Sequence, residues 1–158
     1  MTGLTHVGPG GDSRMVDVSE KPSTARFARA GGAIRMQAAT LQAIRENALA
    51  KGDVLSVAKV AGVMAAKRTA DLVPFCHPIA LSDIQVTLSL DPDLPGVRVE
   101  ALARTFGPTG VEMEAITAVA VTLVTVYDMA KAVDRGMCIT DVCLIEKGGG
   151  RSGHWQRG

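Results

Sequence analysis

Between Asp83 and Arg104 the chain reads DIQVTLSL, then DPDLPG, then VRVEALAR. Ile84, Val86, Leu88 and Leu90 alternate with polar residues, and the second run alternates again. A period of two sends successive side chains to opposite faces of an extended chain, and the Asp, Pro and Gly cluster between the runs favours a turn. The segment therefore reads as a β-hairpin with one apolar face. Such a face has to be covered by other elements of the same domain.

The flanking segments supply the cover. TARFARAGGAIRM, from Thr24 to Met36, suggests a strand interrupted by a bulge at Gly31 and Gly32. TLQAIRENALA follows with a helical pattern and Thr40 as its expected N-cap. The next segment opens at Asp53, a natural N-cap, and spaces Val57, Val60, Ala61 and Met64 as the buried face of a helix that should end before Pro74. After the hairpin, TGVEMEAITAVAVTLVTVYDMAKAVD reads as a second long helix. Its β-branched residues lower its propensity, but its length and charged ends favour helix over strand. MCITDVCLIEK is a last strand, and GGGRSGHWQRG a flexible glycine-rich tail. The order β-α-α-β-β-α-β predicts an α+β, ferredoxin-like fold, an antiparallel sheet with helices on one face. Residues 1–23 read as a mobile arm able to close over a ligand, 24–147 as one domain, and 148–158 as the tail.

With 158 residues the chain can bury a full core, and an aromatic share of 3% requires that core to be Val, Leu, Ile, Ala and Met. A formal net charge of +1 gives no global argument for nucleic acid or membrane, so any anion site must be a local cluster. An RNA-stacking sheet would lack its aromatic platform. The uncharged run Ala115 to Tyr127 is shorter than the roughly 20 residues that span a bilayer. Cys76, Cys138 and Cys143 are odd in number and lack CxxC spacing, and the N-terminus has no signal-like core, which together point to the cytoplasm.

Several residues could carry chemistry. Asp128 and Lys131 lie three apart on the long helix, either as a surface ion pair or as an acid/base pair. The apolar turns before them predict partial burial, which favours the second reading. Glu112 follows Thr109 at capping-box spacing, so helix initiation alone could explain it. Glu114 shares a helical stripe with Asp128, yet fourteen residues of helix separate them by roughly 20 Å. They either serve different sites or meet across a subunit interface. Lys51 precedes a helix N-terminus, where an anion is already favoured, although a lone loop lysine is more often merely solvated. Lys21, Arg26, Lys67, Arg68, Lys147 and Arg151 complete a basic inventory able to neutralise a polyphosphate. EKGGGRSG does not have the P-loop order.

VPFCHPIA, residues 73–80, sets Cys76 beside His77 between two prolines. A structural zinc would need further ligands, and the remaining histidines, His6 and His154, fall in the presumed mobile ends, so no metal is expected. Adjacent residues in extended chain point apart, so the pair makes a poor nucleophile and base. Cys76 is assigned to the core and His77 to a cavity, as a hydrogen-bonding residue on a rigid wall.

KGDV, AKRTADLVPFCHPI, TGVEMEAITA, YDMAKAV and EKGGGRSG, in this order, closely resemble the cyclic pyranopterin monophosphate synthase family of molybdenum cofactor biosynthesis. The likeness runs from MVDVS nearly to the C-terminus. Phe75 stands where the family often has leucine, and KGGGRSG where KSGGKSG is common. The resemblance implies a lyase converting (8S)-3′,8-cyclo-7,8-dihydroguanosine 5′-triphosphate to cyclic pyranopterin monophosphate and diphosphate, with residues 24–147 as the catalytic domain. It implies Asp128 and Lys131 as the acid/base pair, with Lys51 assisting. Phe75, Cys76, His77, Glu112, Met113 and Glu114 would hold the purine-derived rings, and Lys147 would meet the triphosphate. No redox cofactor is implied; Mg²⁺ could accompany the triphosphate. The family likeness also implies a homohexamer, a trimer of dimers with sites at subunit interfaces. The rival reading is a non-catalytic ferredoxin-like module that senses a nucleotide.

Overall fold

A computed structural model describes residues 10–158; His6 and the first part of the arm lie outside the described residues. Among the described residues, five strands and four helices follow one another as β1 (Thr24–Arg35), α1 (Ala38–Arg45), α2 (Val54–Ala66), α3 (Thr69–Leu72), β2 (Leu81–Asp91), β3 (Gly96–Gly107), α4 (Glu112–Ala130), β4 (Cys138–Gly148) and β5 (Trp155–Gln156). The sheet order is β2-β3-β1-β4-β5, and every pairing is antiparallel. Its first four strands give the ferredoxin-like arrangement, α+β with the helices packed against the sheet.

The hairpin forms as its alternation predicts, with Asp91 opposite Gly96. The Asp91 carboxylate accepts from the backbone N–H of Asp93 and Leu94, at 2.9 and 3.1 Å, which closes the turn. On the covered face of the sheet Ala28, Ala30, Ile34, Val97, Ala101 and Ala103 are fully buried beneath Ala115, Ala118, Val119, Leu123 and Val126 of α4. Each large apolar side chain sealed here stabilises the fold by roughly 1.5–3 kcal/mol relative to exposure. By length and hydropathy α4 could cross a membrane, but half of its apolar window is buried within the protein, as befits a core helix.

Five expectations need correction. β1 is continuous; the extra residues sit on β4, where Gly31 pairs with Cys143 but Ala33 with Thr140, and Arg29 pairs with Glu146 but Ala30 with Leu144. Asp141, at φ 58°, occupies the first of these bulges. Thr40 is not an N-cap. Gln37 holds that place, and the buried Thr40 hydroxyl donates to Asp134 at 3.1 Å, while the Gln37 N–H donates to the same carboxylate oxygen at 2.9 Å. The pair ties the start of α1 to the loop after α4.

The face assigned to α2 is also the wrong one. Val57, Val60 and Met64 are 47%, 59% and 54% exposed, whereas Ala58, Gly62, Ala65 and Ala66 are buried. Small residues win because α2 lies close against α4: a Cβ at Gly62 would stand 3.0 Å from the Ala118 carbonyl and run into the Thr122 hydroxyl. Asp53 does cap α2, accepting from the Ser56 N–H at 3.0 Å. Thr109 does not cap α4, which begins after Val111 without a side-chain cap. Finally, the tail is not wholly irregular, since Trp155 and Gln156 pair with Lys147 and Glu146 as a fifth strand.

Candidate active site

The first turn of α4, the PFCHP segment and the arm enclose a cavity of about 330 Å³. Phe75, Cys76, His77, Glu112, Met113 and Glu114 all line it, joined by Ile79, Thr109, Gly110 and three arm residues, Val16, Val18 and Lys21. The chain from Val73 to Ala80 has no regular structure; a turn bond from the Cys76 N–H to the Val73 carbonyl, 3.0 Å, starts it, and Pro74 and Pro78 fix φ on either side. Cys76 and His77 both reach the cavity wall, so the division into a core cysteine and a cavity histidine does not hold. His77 Nε2 lies 2.7 Å from the Val16 carbonyl oxygen, joining the wall to the arm.

Glu114 is only 3% exposed, and burial pushes its carboxyl up to about 7, with the nearby Glu112 charge acting in the same direction. The Cys76 thiol is raised as well, by burial first and by Glu114 second. Glu112 is held differently. Its carboxylate accepts from Lys147 Nζ at 2.6 Å, a part-buried pair that brings the end of β4 to the cavity rim. A wall with one carboxyl that titrates near neutrality and one paired to lysine can donate and accept hydrogen bonds toward a polar heterocycle.

The second cluster lies at the far end of α4. Asp128 is in its last turn, Lys131 caps it, and Lys51 approaches from the loop before α2. Asp128 Oδ1 accepts from Lys131 Nζ at 2.7 Å and Oδ2 from Lys51 Nζ at 2.8 Å. Lys51 also donates to the Asp128 backbone carbonyl at 2.8 Å, satisfying one of the acceptors that a helix end leaves open. The hydrogen bond from Lys131, followed by that from Lys51, pulls the Asp128 carboxyl down to about 2; the bond to Asp128 in turn raises Lys131. Contrary to the partial burial expected, all three side chains are about half exposed, 46% for Lys51 and 52% for the other two.

One chain thus gathers the candidate residues into two groups and does not bring the groups together. The arm residues and Thr109, Gly110 and Ile79 were missed as cavity lining. Their available signals were the extended look of MVDVS, the presence of Lys21 in the basic inventory, and the immediate proximity of Thr109 and Gly110 to Glu112. His154, set aside as a tail residue, places Nε2 2.8 Å from Glu146.

The fold is that of a ferredoxin-like α+β protein whose titratable groups gather at the two ends of α4. Residues 15–150 match the MoaC family, and the chain belongs to that family. It is 56% identical over 156 residues to a protein of Cereibacter sphaeroides named cyclic pyranopterin monophosphate synthase, covering 99% of this chain and 98% of that one. A protein of the same name from Methylobacterium sp. (strain 4-46) is 57% identical over 155 residues, covering 98% and 97%.

Proposed function

We infer that the chain acts as a cyclic pyranopterin monophosphate synthase, a lyase of molybdenum cofactor biosynthesis. The observation that carries this is the near-full-length identity to relatives of that name. The substrate we propose is (8S)-3′,8-cyclo-7,8-dihydroguanosine 5′-triphosphate, and the products are cyclic pyranopterin monophosphate and diphosphate. The cavity lined by Phe75, Cys76, His77, Glu112, Met113 and Glu114 would hold the purine-derived rings, where paired donors and acceptors are needed. Lys147, with Lys21 on the arm, would meet the triphosphate, whose developing charge on loss of diphosphate requires cations nearby. No redox cofactor enters the scheme, and Mg²⁺ could travel with the triphosphate.

Lys131 is proposed as the main general acid/base, with Asp128 tuning it and Lys51 assisting. Ring opening and closure need proton transfers at nitrogen and carbon. In the single chain Lys131 is held protonated by Asp128, which suits an initial acid; covering the cluster would oppose this by desolvation. A homohexamer, a trimer of dimers with each site shared between chains, reconciles the separation of the two groups along α4. The exposed stripe Val57, Val60 and Met64 supports association, since a second copy would take it out of water. The unpaired state of Cys76, Cys138 and Cys143 supports a cytoplasmic setting.

Adding the purified cyclic triphosphate to the protein should release stoichiometric diphosphate over repeated turnovers. Saturable binding with no diphosphate would instead establish the nucleotide-sensing module.

A further inference from the structure

Nothing in the proposed chemistry uses the last residues of the chain. All of 151–158 are exposed, so they contribute little to the core. They are nevertheless bound to one place. The Arg157 N–H donates to the Ile145 carbonyl at 2.8 Å and its Nε to the Leu144 carbonyl at 3.0 Å; Gln156 and Trp155 pair with Glu146 and Lys147; His154 meets Glu146.

That place is the second bulge of β4. Leu144 pairs with Ala30 and Lys147 with Ala28, both fully buried beneath the helices, so Leu144 and Lys147 share the helix side of the sheet. Three residues apart, they could not do so on a regular strand, where an odd separation changes face. The extra residue, Ile145, corrects the parity. It leaves Glu146 on the open face beside Arg29, at 3.6 Å, and turns Lys147 to Glu112. A bulge leaves ladder bonds unmade on its own side, and here the neighbouring edge supplies the Ile145 and Leu144 carbonyls with donors from Arg157.

We propose that the C-terminal strand β5 is a positioning strap, in which Arg157 holds the Ile145 bulge in the register that delivers Lys147 to the cavity rim. The inference rests on the reading of Lys147 as a substrate-binding residue. Arg157 touches no substrate and acts through Lys147.

Two variants test it, Arg157→Ala and a chain ending at Gly153, with Arg157→Lys as the conservative control. Trp155 is the sole tryptophan, so in the full-length Arg157 variants its emission reports release of the strap. With the cyclic triphosphate as substrate, truncation should raise KM about tenfold and leave kcat within about twofold, Arg157→Ala should raise KM in the same direction, and Arg157→Lys should stay near the parent KM. In a Lys147→Ala background the truncation should add nothing, because the two changes act through one group. Unchanged KM in the truncated enzyme, or full additivity with Lys147→Ala, would overturn the proposal. If Lys147→Ala itself leaves KM unchanged, the assignment of Lys147 fails instead. Amide exchange at 144–147 then judges the strap alone: faster exchange after truncation upholds its grip on the bulge, and unaltered exchange sinks it.

Discussion

The two ends of α4 treat a carboxyl group in opposite ways. At the N-terminal end Glu114 is walled in and raised to about 7; at the C-terminal end Asp128 stands half in solvent between two lysines and is lowered to about 2. Burial governs the first and hydrogen bonding to charge the second. The contrast teaches that one helix can carry a carboxyl sealed inside the chain at one end and a carboxylate held between lysines in solvent at the other. The proposed function assigns recognition to the first end and proton transfer to the second, and a helix nineteen residues long separates them.

The largest effect expected is on turnover. Lys131→Ala should lower kcat by roughly 10²–10⁴-fold, the usual contribution of a positioned acid or base, while thermal stability stays near that of the parent. Mixing it with His77→Ala before refolding should restore about a quarter of the sites if each draws its wall and its lysine from different chains, since a shared site can then collect both intact halves. Recovery of no activity in verified mixed oligomers would show that each site belongs to one chain. A smaller effect concerns Glu114. Its folded pKa lies above the ordinary carboxyl value of 4.5, so the unfolded chain loses the proton first as pH rises. Stability contributed by the neutral carboxyl is full below about 4.5 and declines until pH about 7, so Tm should fall by roughly 5 °C between pH 4.5 and 7.5. Glu114→Gln should flatten that slope, and an unaltered slope would mean that other groups cause it. The smallest effect belongs to Asp128→Asn. Asp128 favours the fold above the ordinary aspartate value of 3.8, and that contribution is lost as pH falls through about 2. Because the group is exposed and screened, Tm at pH 7 should scarcely move even as kcat drops. A clear loss of Tm would show that the trio is structural.

What the sequence made legible depended on which physical signal dominated each element. The hairpin could be read because alternation and turn chemistry agree, and α4 because its apolar run is too long for a strand. The α2 face was misread because hydrophobicity ranks Val57, Val60 and Met64 above Ala58 and Gly62, whereas close helix contact selects smallness. Thr109 and Thr40 carried cap-like side chains, but the backbone turned into helix elsewhere, and Asp134, remote in sequence, claimed Thr40. The residues around the cavity could be named from motifs; the arm could be read as able to close over a ligand but its contact could not be placed, because Val16 joins His77 through a backbone carbonyl, which leaves no trace in side-chain identity. The β4 bulges were equally silent, since a parity change only shows once both strands are paired.

The tight seam at Gly62 has a further consequence. With no room for even a methyl group between α2 and α4, the two helices cannot slide, and Lys51, fastened to Asp128 just ahead of α2, is carried along with them. The helix pair is therefore a gauge block. It fixes where Lys51 stands against the C-terminal end of α4. A Gly62→Ala chain would be a part out of gauge, with α2 forced off α4 and Lys51 drawn away from Asp128.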